Sequence, residues 1–71
     1  MSSSIPAIVR MANQIAANLA VQPHDIAVQE ISGHIISFWD PRMRRRLAAH
    51  VAAGGEGLSA LALEAARRVA A

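Results

Sequence analysis

The segment that decides the fold covers residues 38–46 and reads Phe38-Trp39-Asp40-Pro41-Arg42-Met43-Arg44-Arg45-Arg46. Proline disfavours helical backbone at the residue before it, whereas aspartate caps helices and proline is well tolerated in their first turn. Asp40 and Pro41 therefore predict that one helix ends and another begins at this point.

Apolar residues recur at helical spacing on both sides of this junction, and no segment alternates as a strand does. A first helix is predicted over about residues 4–21, before Pro23. A second helix is predicted to take its cap from His24 or Asp25 and to run to about Trp39. Its apolar residues cover an arc of about 160°, which is wider than a single neighbouring helix requires.

Glycines and a serine mark the boundary between the third and fourth helices. The third helix is predicted to end at Gly54 and Gly55, because glycine adopts the left-handed conformation that stops a helix. Ser59 is the predicted N-cap of the fourth helix, with Leu58 and Leu63 at the spacing of a hydrophobic staple. The fourth helix is rich in alanine and is expected to bury little area alone. The predicted fold is all-α, a small bundle of three main helices plus a shorter C-terminal helix.

The chain has 71 residues, which is enough for a single helical domain over 1–71, with residues 1–4 expected to be disordered. Because 16 residues are alanine and none is cysteine, the core is small and has no disulfide to support it. A partner or an oligomer is therefore expected. No apolar run approaches the about 20 residues that span a bilayer, and no signal peptide is recognised, so we expect a cytoplasmic protein without a membrane partner.

The sequence offers no set of residues for catalysis. Its three histidines are not spaced to place two imidazoles on one metal ion. His50 is interpreted as a hydrogen-bonded interior or interface residue, His24 as a turn residue, and Glu64 as the ion-pair partner of Arg68. We predict no catalytic residue, no metal site and no cofactor bound by this chain.

Residues 38–46 also contain the only two aromatic residues and four of the seven arginines. Cations near the start of a helix oppose its dipole, while tryptophan and arginine are enriched at binding hot spots. On a helical wheel these arginines lie on all sides of the third helix. A helix that reads a nucleic-acid groove instead carries its base and phosphate contacts on one exposed face. The predicted partner contacts are Phe38, Trp39, Arg42, Met43, Arg45 and Arg46, with a core position as the alternative for Trp39. The predicted structural residues are Asp40, Pro41, Gly54, Gly55 and Ser59.

Several short motifs of this chain are shared with a known family. They lie within about residues 8–66 and are Met11-Ala12-Asn13-Gln14-Ile15-Ala16, His24-Asp25, Phe38-Trp39-Asp40-Pro41-Arg42-Met43-Arg44, Leu47, His50 and Gly54-Gly55-Glu56-Gly57-Leu58. In these motifs the sequence resembles the delta subunit of the soluble, NAD-dependent, molybdenum-containing formate dehydrogenases. The resemblance implies a cofactor-free accessory subunit that docks on the large molybdenum-binding subunit and supports assembly or stability. It also implies that molybdopterin, iron–sulfur clusters, FMN and NAD belong to the partner subunits.

Two other functions stay open from the residues alone. A self-associating helical module, a homodimer in isolation, would bury the wide face of the second helix against its own copy. A small arginine-rich nucleic-acid-binding protein would lose affinity steeply with added salt. Although the pI is about 11.2, the net charge is only +2, so we expect no nucleic-acid partner.

Overall fold

The computed structural model describes residues 5–70, most of which are helical. The four helices are α1 (Ala7–Leu19), α2 (His24–Phe38), α3 (Pro41–Ala52) and α4 (Ala60–Ala70). No strand occurs between residues 5 and 70, and the predicted all-α fold with a shorter C-terminal helix is confirmed. The expected disorder of residues 1–4 concerns a segment outside the described residues.

The first two helices each begin after a proline with extended backbone. Pro6 has a ψ of 146°, and α1 is therefore shorter than predicted at its start. Pro23 likewise has a ψ of 147° and occupies the N-cap of α2, where no side chain makes a capping hydrogen bond. The prediction that His24 or Asp25 caps α2 is therefore wrong. The Pro23 carbonyl instead accepts the first helical hydrogen bond, from the Ala27 N–H at 2.8 Å.

The junction between α2 and α3 turns at Trp39 and Asp40. Trp39 follows the last residue of α2 with φ −86° and ψ 138°, and its N–H still donates to the Ile35 carbonyl at 2.9 Å. The Asp40 carboxylate accepts a hydrogen bond from the Met43 N–H at 2.9 Å, and Pro41 is the first residue of α3. This short connection carries the Trp39 side chain into the core and starts a new helix immediately afterwards.

The alanine-rich helix α4 packs at the centre of the bundle. It contacts each of the other three helices, and Ala62, Ala65 and Ala66 are fully buried. Methyl side chains allow three neighbouring helices to approach one axis closely, so residues that bury little area each still occupy the middle of the fold. The rest of the core consists of Ile8, Val9, Ala12, Ala16, Ala27, Val28, Ile31, Ile35, Trp39 and Leu47.

Backbone hydrogen bonds fix the loop that joins α3 to α4. The Gly54 N–H donates to the Val51 carbonyl at 3.0 Å, and the Gly55 N–H donates to the His50 carbonyl at 2.9 Å. These two bonds form a Schellman motif, which pairs carbonyl groups at the end of α3. The His50 Nε2–H donates to the Glu56 carbonyl at 2.6 Å, so this histidine holds the loop through both its backbone and its ring.

Asn13 of α1 ties the same loop to the rest of the bundle. Its Nδ2 donates to the Gly57 carbonyl at 2.9 Å, and its Oδ1 accepts from the Ser59 N–H at 2.9 Å. Ser59 in turn caps α4, because its hydroxyl oxygen accepts from the Ala62 N–H at 3.2 Å. Asn13 therefore fixes where α4 starts relative to α1. Sequence reasoning missed this role because the bonded groups lie 44 and 46 positions away.

Asn13→Ala is expected to lower the free energy of unfolding by about 1–3 kcal/mol, since it removes two hydrogen bonds and leaves both backbone partners without them. Urea denaturation followed by helical circular dichroism measures this change. Asn18→Ala is the matched control, because the Asn18 side chain, on the same helix, is exposed and accepts a hydrogen bond only from Gln14 among the described residues. Its effect should stay within about 0.5 kcal/mol. Equal effects of the two variants would contradict the assigned role of Asn13.

Candidate partner-binding surface

Two adjacent aromatic residues at the α2–α3 junction have opposite environments. Trp39 is 6% exposed and belongs to the core, which is the alternative that the sequence left open for it. Phe38 is 75% exposed, and its ring centroid lies 4.7 Å from that of His34 at a tilt of 37°. Phe38 is thus the aromatic residue whose surface is available to a partner.

Two exposed arginines follow Phe38 in the sequence, four and seven positions later. Arg42 and Arg45 line a shallow surface groove together with Asp40 and Pro41. They extend from the first turn and a half of α3, where a positive charge opposes the helix dipole. We refer to Phe38, Arg42 and Arg45 as the Phe38–Arg surface.

The remaining residues of the predicted site point to other sides of α3. Arg44 Nη1 donates to the Ile36 carbonyl at 3.1 Å, so it binds the C-terminal end of α2, where a cation is favourable. Arg46 lines a second groove beside Pro6 at the start of α1. Met43 is half-buried and packs against the core. The arginines therefore surround α3, and the structure groups Arg42 and Arg45 apart from Arg46.

A side-chain hydrogen bond joins the start of α2 to α4. His24 Nε2 and Glu64 Oε1 lie 2.7 Å apart, and both side chains are more than half exposed. The predicted pairing of Glu64 with Arg68 is wrong, because the folded chain brings His24 to Glu64 from a distance of 40 positions. His24 is therefore a helical residue with a tertiary contact, and not a turn residue.

The four arginines of α3 have no ion-pair partner in the part of the chain that the structure describes. Within residues 5–70 the His24–Glu64 pair is the only salt bridge. The nearest acidic residue in sequence, Asp40, uses its carboxylate to accept from the Met43 N–H. These arginines therefore form no salt bridge within this range, although Asp40 lies in the same groove as Arg42 and Arg45.

Residues 5–70 contain neither a candidate metal site nor a helix that could span a membrane. Between residues 5 and 70, no three His, Cys, Asp or Glu side chains come together in an arrangement that holds a metal ion. No helix in that range has the length and apolar character needed to cross a bilayer. Every buried side-chain nitrogen or oxygen there has a hydrogen-bond partner.

The fold and this surface define a small all-α protein that presents, at a helix junction, an exposed aromatic ring and arginines that form no salt bridge within residues 5–70. Residues 7–66 match the family described as NADH-dependant formate dehydrogenase delta subunit FdsD. The chain belongs to this family, which confirms the resemblance found in its motifs. No match is found among curated proteins.

Proposed function

We propose that this chain is a noncatalytic accessory subunit of an NAD-dependent formate dehydrogenase and docks on the large molybdenum-binding subunit. Membership of the delta-subunit family supports its place in such a complex. The observation that carries the docking role is that Phe38 is 75% exposed at the same helix junction as arginines that have no salt bridge within residues 5–70. Aromatic and arginine side chains are the types enriched at protein interfaces, and arginine is common among hot spots.

In this proposal the chain itself binds no cofactor. Molybdopterin, iron–sulfur clusters, FMN and NAD are held by the partner subunits, where formate is oxidised and electrons pass to NAD. The chain supports assembly or stability of the complex by adding contact surface. Because a domain of 71 residues has a small core, the same contact also raises the stability of the chain itself by mass action.

The partner surface is expected to combine acidic side chains with an apolar pocket. Guanidinium groups pair with carboxylates through two parallel hydrogen bonds. An exposed phenyl ring contributes most to the binding free energy when the complex removes it fully from water. A carboxylate near Arg42 would also offset the unfavourable position of this cation in the first turn of α3. The ring of Phe38 and the guanidinium groups of Arg42 and Arg45 therefore have more favourable surroundings in such a complex than in the isolated chain.

The triple variant Phe38→Ala, Arg42→Gln, Arg45→Gln is expected to weaken binding to the large subunit by more than about 30-fold, since it removes one aromatic and two charged contacts. The experiment co-expresses the chain with the other subunits and purifies the complex through a tag on the large subunit. The amount of this chain retained is then measured, together with formate-dependent NAD reduction and its decay on storage. The variant complex should retain little of the chain and lose activity faster.

Arg67→Gln with Arg68→Gln is the charge-matched control, because both residues are exposed and lie in the last turn of α4. Removing these cations should destabilise the isolated chain slightly, whereas removing Arg42 should stabilise it slightly, because the two sites lie at opposite ends of helix dipoles. Binding should be kept in this control. If both sets of variants bind equally well, the Phe38–Arg surface is not the docking site.

A further inference from the structure

Phe38 is the last residue of α2, so no further turn of this helix follows to support its side chain. The backbone becomes extended at Trp39, which enters the core. Side chains of helical residues point back over the preceding turn, where the residue four positions earlier is a neighbour. For Phe38 that residue is His34. The position of the exposed phenyl ring therefore depends on the preceding turn of α2.

The side chain of His34 contacts Phe38 from this preceding turn. The centroids of the two rings lie 4.7 Å apart, and the ring planes are tilted by 37°. This separation lies within the range in which tilted aromatic rings attract each other. Both residues are exposed, and Phe38 remains 75% exposed despite the contact. The phenyl ring is thus supported on one side and open to a partner on the other.

The His34 ring makes no other polar contact within the part of the chain that the structure describes. His24 pairs with Glu64, and the His50 ring donates to the Glu56 carbonyl, so those two histidines hold separate parts of the fold together. The nitrogen atoms of the His34 ring form neither a hydrogen bond nor a salt bridge with residues 5–70. Its contact with Phe38 is consequently the interaction that connects this ring to the proposed docking surface.

We propose that His34 is a positioning residue of the docking site, which holds the Phe38 ring in the orientation that the large subunit binds. This inference rests on the proposed docking function and adds a residue that acts through Phe38. An exposed phenyl ring without a neighbour occupies several rotamers, and a complex that fixes one of them removes this freedom. A ring already held by His34 loses less freedom on binding, so the contact raises the affinity.

The stability of the isolated chain depends little on this pair. Two exposed side chains four positions apart stabilise a helix only slightly, and alanine is a better helix former than histidine. His34→Ala is therefore expected to leave the Tm of the isolated chain within a few degrees of the parent. A loss of affinity without a loss of stability follows from a positioning role and not from a structural one.

A double-mutant cycle in a binding assay tests whether His34 acts through Phe38. Affinity is measured by titrating the isolated chain into the complex that lacks it. His34→Ala should weaken binding by about three- to tenfold, the range expected for one aromatic pair or one side chain fixed on binding. In the Phe38→Ala background it should change the affinity by less than about twofold, because the ring that it positions is gone. Equal weakening in both backgrounds would mean that His34 contacts the partner directly, which overturns the positioning role.

Two further substitutions separate the ring of His34 from its polar atoms. His34→Phe keeps a ring in the preceding turn and should bind within about twofold of the parent. His34→Gln keeps a polar side chain without a ring and should bind as weakly as His34→Ala. If His34→Gln binds as well as His34→Phe, the ring is not needed and the proposal is overturned.

Gly33→Ala is the matched control for helix stability in the same part of α2. It also adds helix propensity, and the new Cβ would meet nothing within 4 Å. This variant should raise the Tm of the isolated chain and bind like the parent. If it weakens binding as much as His34→Ala does, the loss comes from the altered helix and not from the Phe38 ring, and the proposal is overturned.

Nuclear magnetic resonance observes the Phe38 ring in the isolated chain. In the parent, the χ1 coupling constants of Phe38 should correspond to one dominant rotamer, with cross-relaxation between its ring protons and those of His34. In His34→Ala the couplings should correspond to an average over several rotamers. A Phe38 side chain that is already averaged in the parent would overturn the proposal whatever the affinities are.

These measurements separate this inference from the docking function on which it rests. If Phe38→Ala weakens binding while His34→Ala binds like the parent, the positioning role fails and the docking function stands. If Phe38→Ala also binds like the parent, Phe38 is not part of the docking site, and the positioning role of His34 fails with it.

Discussion

Trp39→Ala is expected to lower the Tm of the isolated chain by about 12–40 °C. Trp39 is 6% exposed and belongs to the core cluster, and replacing a buried tryptophan with alanine lowers stability by about 3–5 kcal/mol. A domain of 71 residues has a total stability of about 4–11 kcal/mol, so the loss takes much of it. Thermal and urea unfolding followed by circular dichroism measures the change. A Tm within a few degrees of the parent would contradict the core position of Trp39.

Phe38→Ala is the adjacent control for this prediction. Phe38 is 75% exposed, so its truncation should change the free energy of unfolding by no more than about 0.5 kcal/mol. The same substitution should weaken docking, because Phe38 is the exposed aromatic residue of the Phe38–Arg surface. Two neighbouring aromatic residues therefore separate loss of fold from loss of binding. A Phe38→Ala chain that unfolds like Trp39→Ala would place Phe38 in the core as well.

The sequence predicted those helix boundaries that depend on local chemistry. Asp40 and Pro41 open α3, and Ser59 caps α4, because a capping side chain and its backbone partner are three residues apart. The boundaries at Pro6 and Pro23 were less accurate. A proline in the first turn of a helix and a proline at its N-cap give the same sequence pattern. Only the ψ angle in the structure distinguishes the two positions.

The sequence patterns did not predict the contacts between distant parts of the chain. The helix α4 is central because it packs against all three other helices. The spacing of its alanines in the sequence does not show how many neighbours it has. The roles of Asn13 and Glu64 depend on groups about 40 positions away. One amide side chain or one carboxylate on an exposed helix face carries no mark of such a partner.

The sequence predicted which segment contains the candidate site, but it did not predict which side chains of that segment share one surface. Residues 38–46 were identified from their aromatic and arginine content, but alternation of environment between Phe38 and Trp39 depends on where α2 ends. Arg44 and Arg46 diverge to α2 and α1 because they extend from different sides of α3.

Gly55→Ala is expected to lower the free energy of unfolding by about 2–3 kcal/mol. Gly55 has a φ of 69°, and residues with a Cβ atom are disfavoured in this region by about 1–2 kcal/mol. A Cβ at this position would also lie 2.6 Å from Leu63 Cδ1, so the Leu63 side chain would have to move. Urea denaturation measures the change. Gly33→Ala is the control with opposite sign, since it should raise stability by about 0.5–1 kcal/mol.

A double-mutant cycle with Leu63→Ala separates the two causes of this loss. A Cβ at Gly55 would lie within 4 Å of both Leu63 and Leu58, so the glycine leaves room for the two leucines of the predicted staple. When Leu63 is already alanine, the contact with the new Cβ is gone and Gly55→Ala should lower stability only by the backbone part, about 1–2 kcal/mol. An unchanged loss in both backgrounds would mean that backbone conformation alone requires glycine. A smaller loss in the Leu63→Ala background would mean that α4 is held at its start by packing over Gly55 as well as by the hydrogen bonds of Asn13 and Ser59.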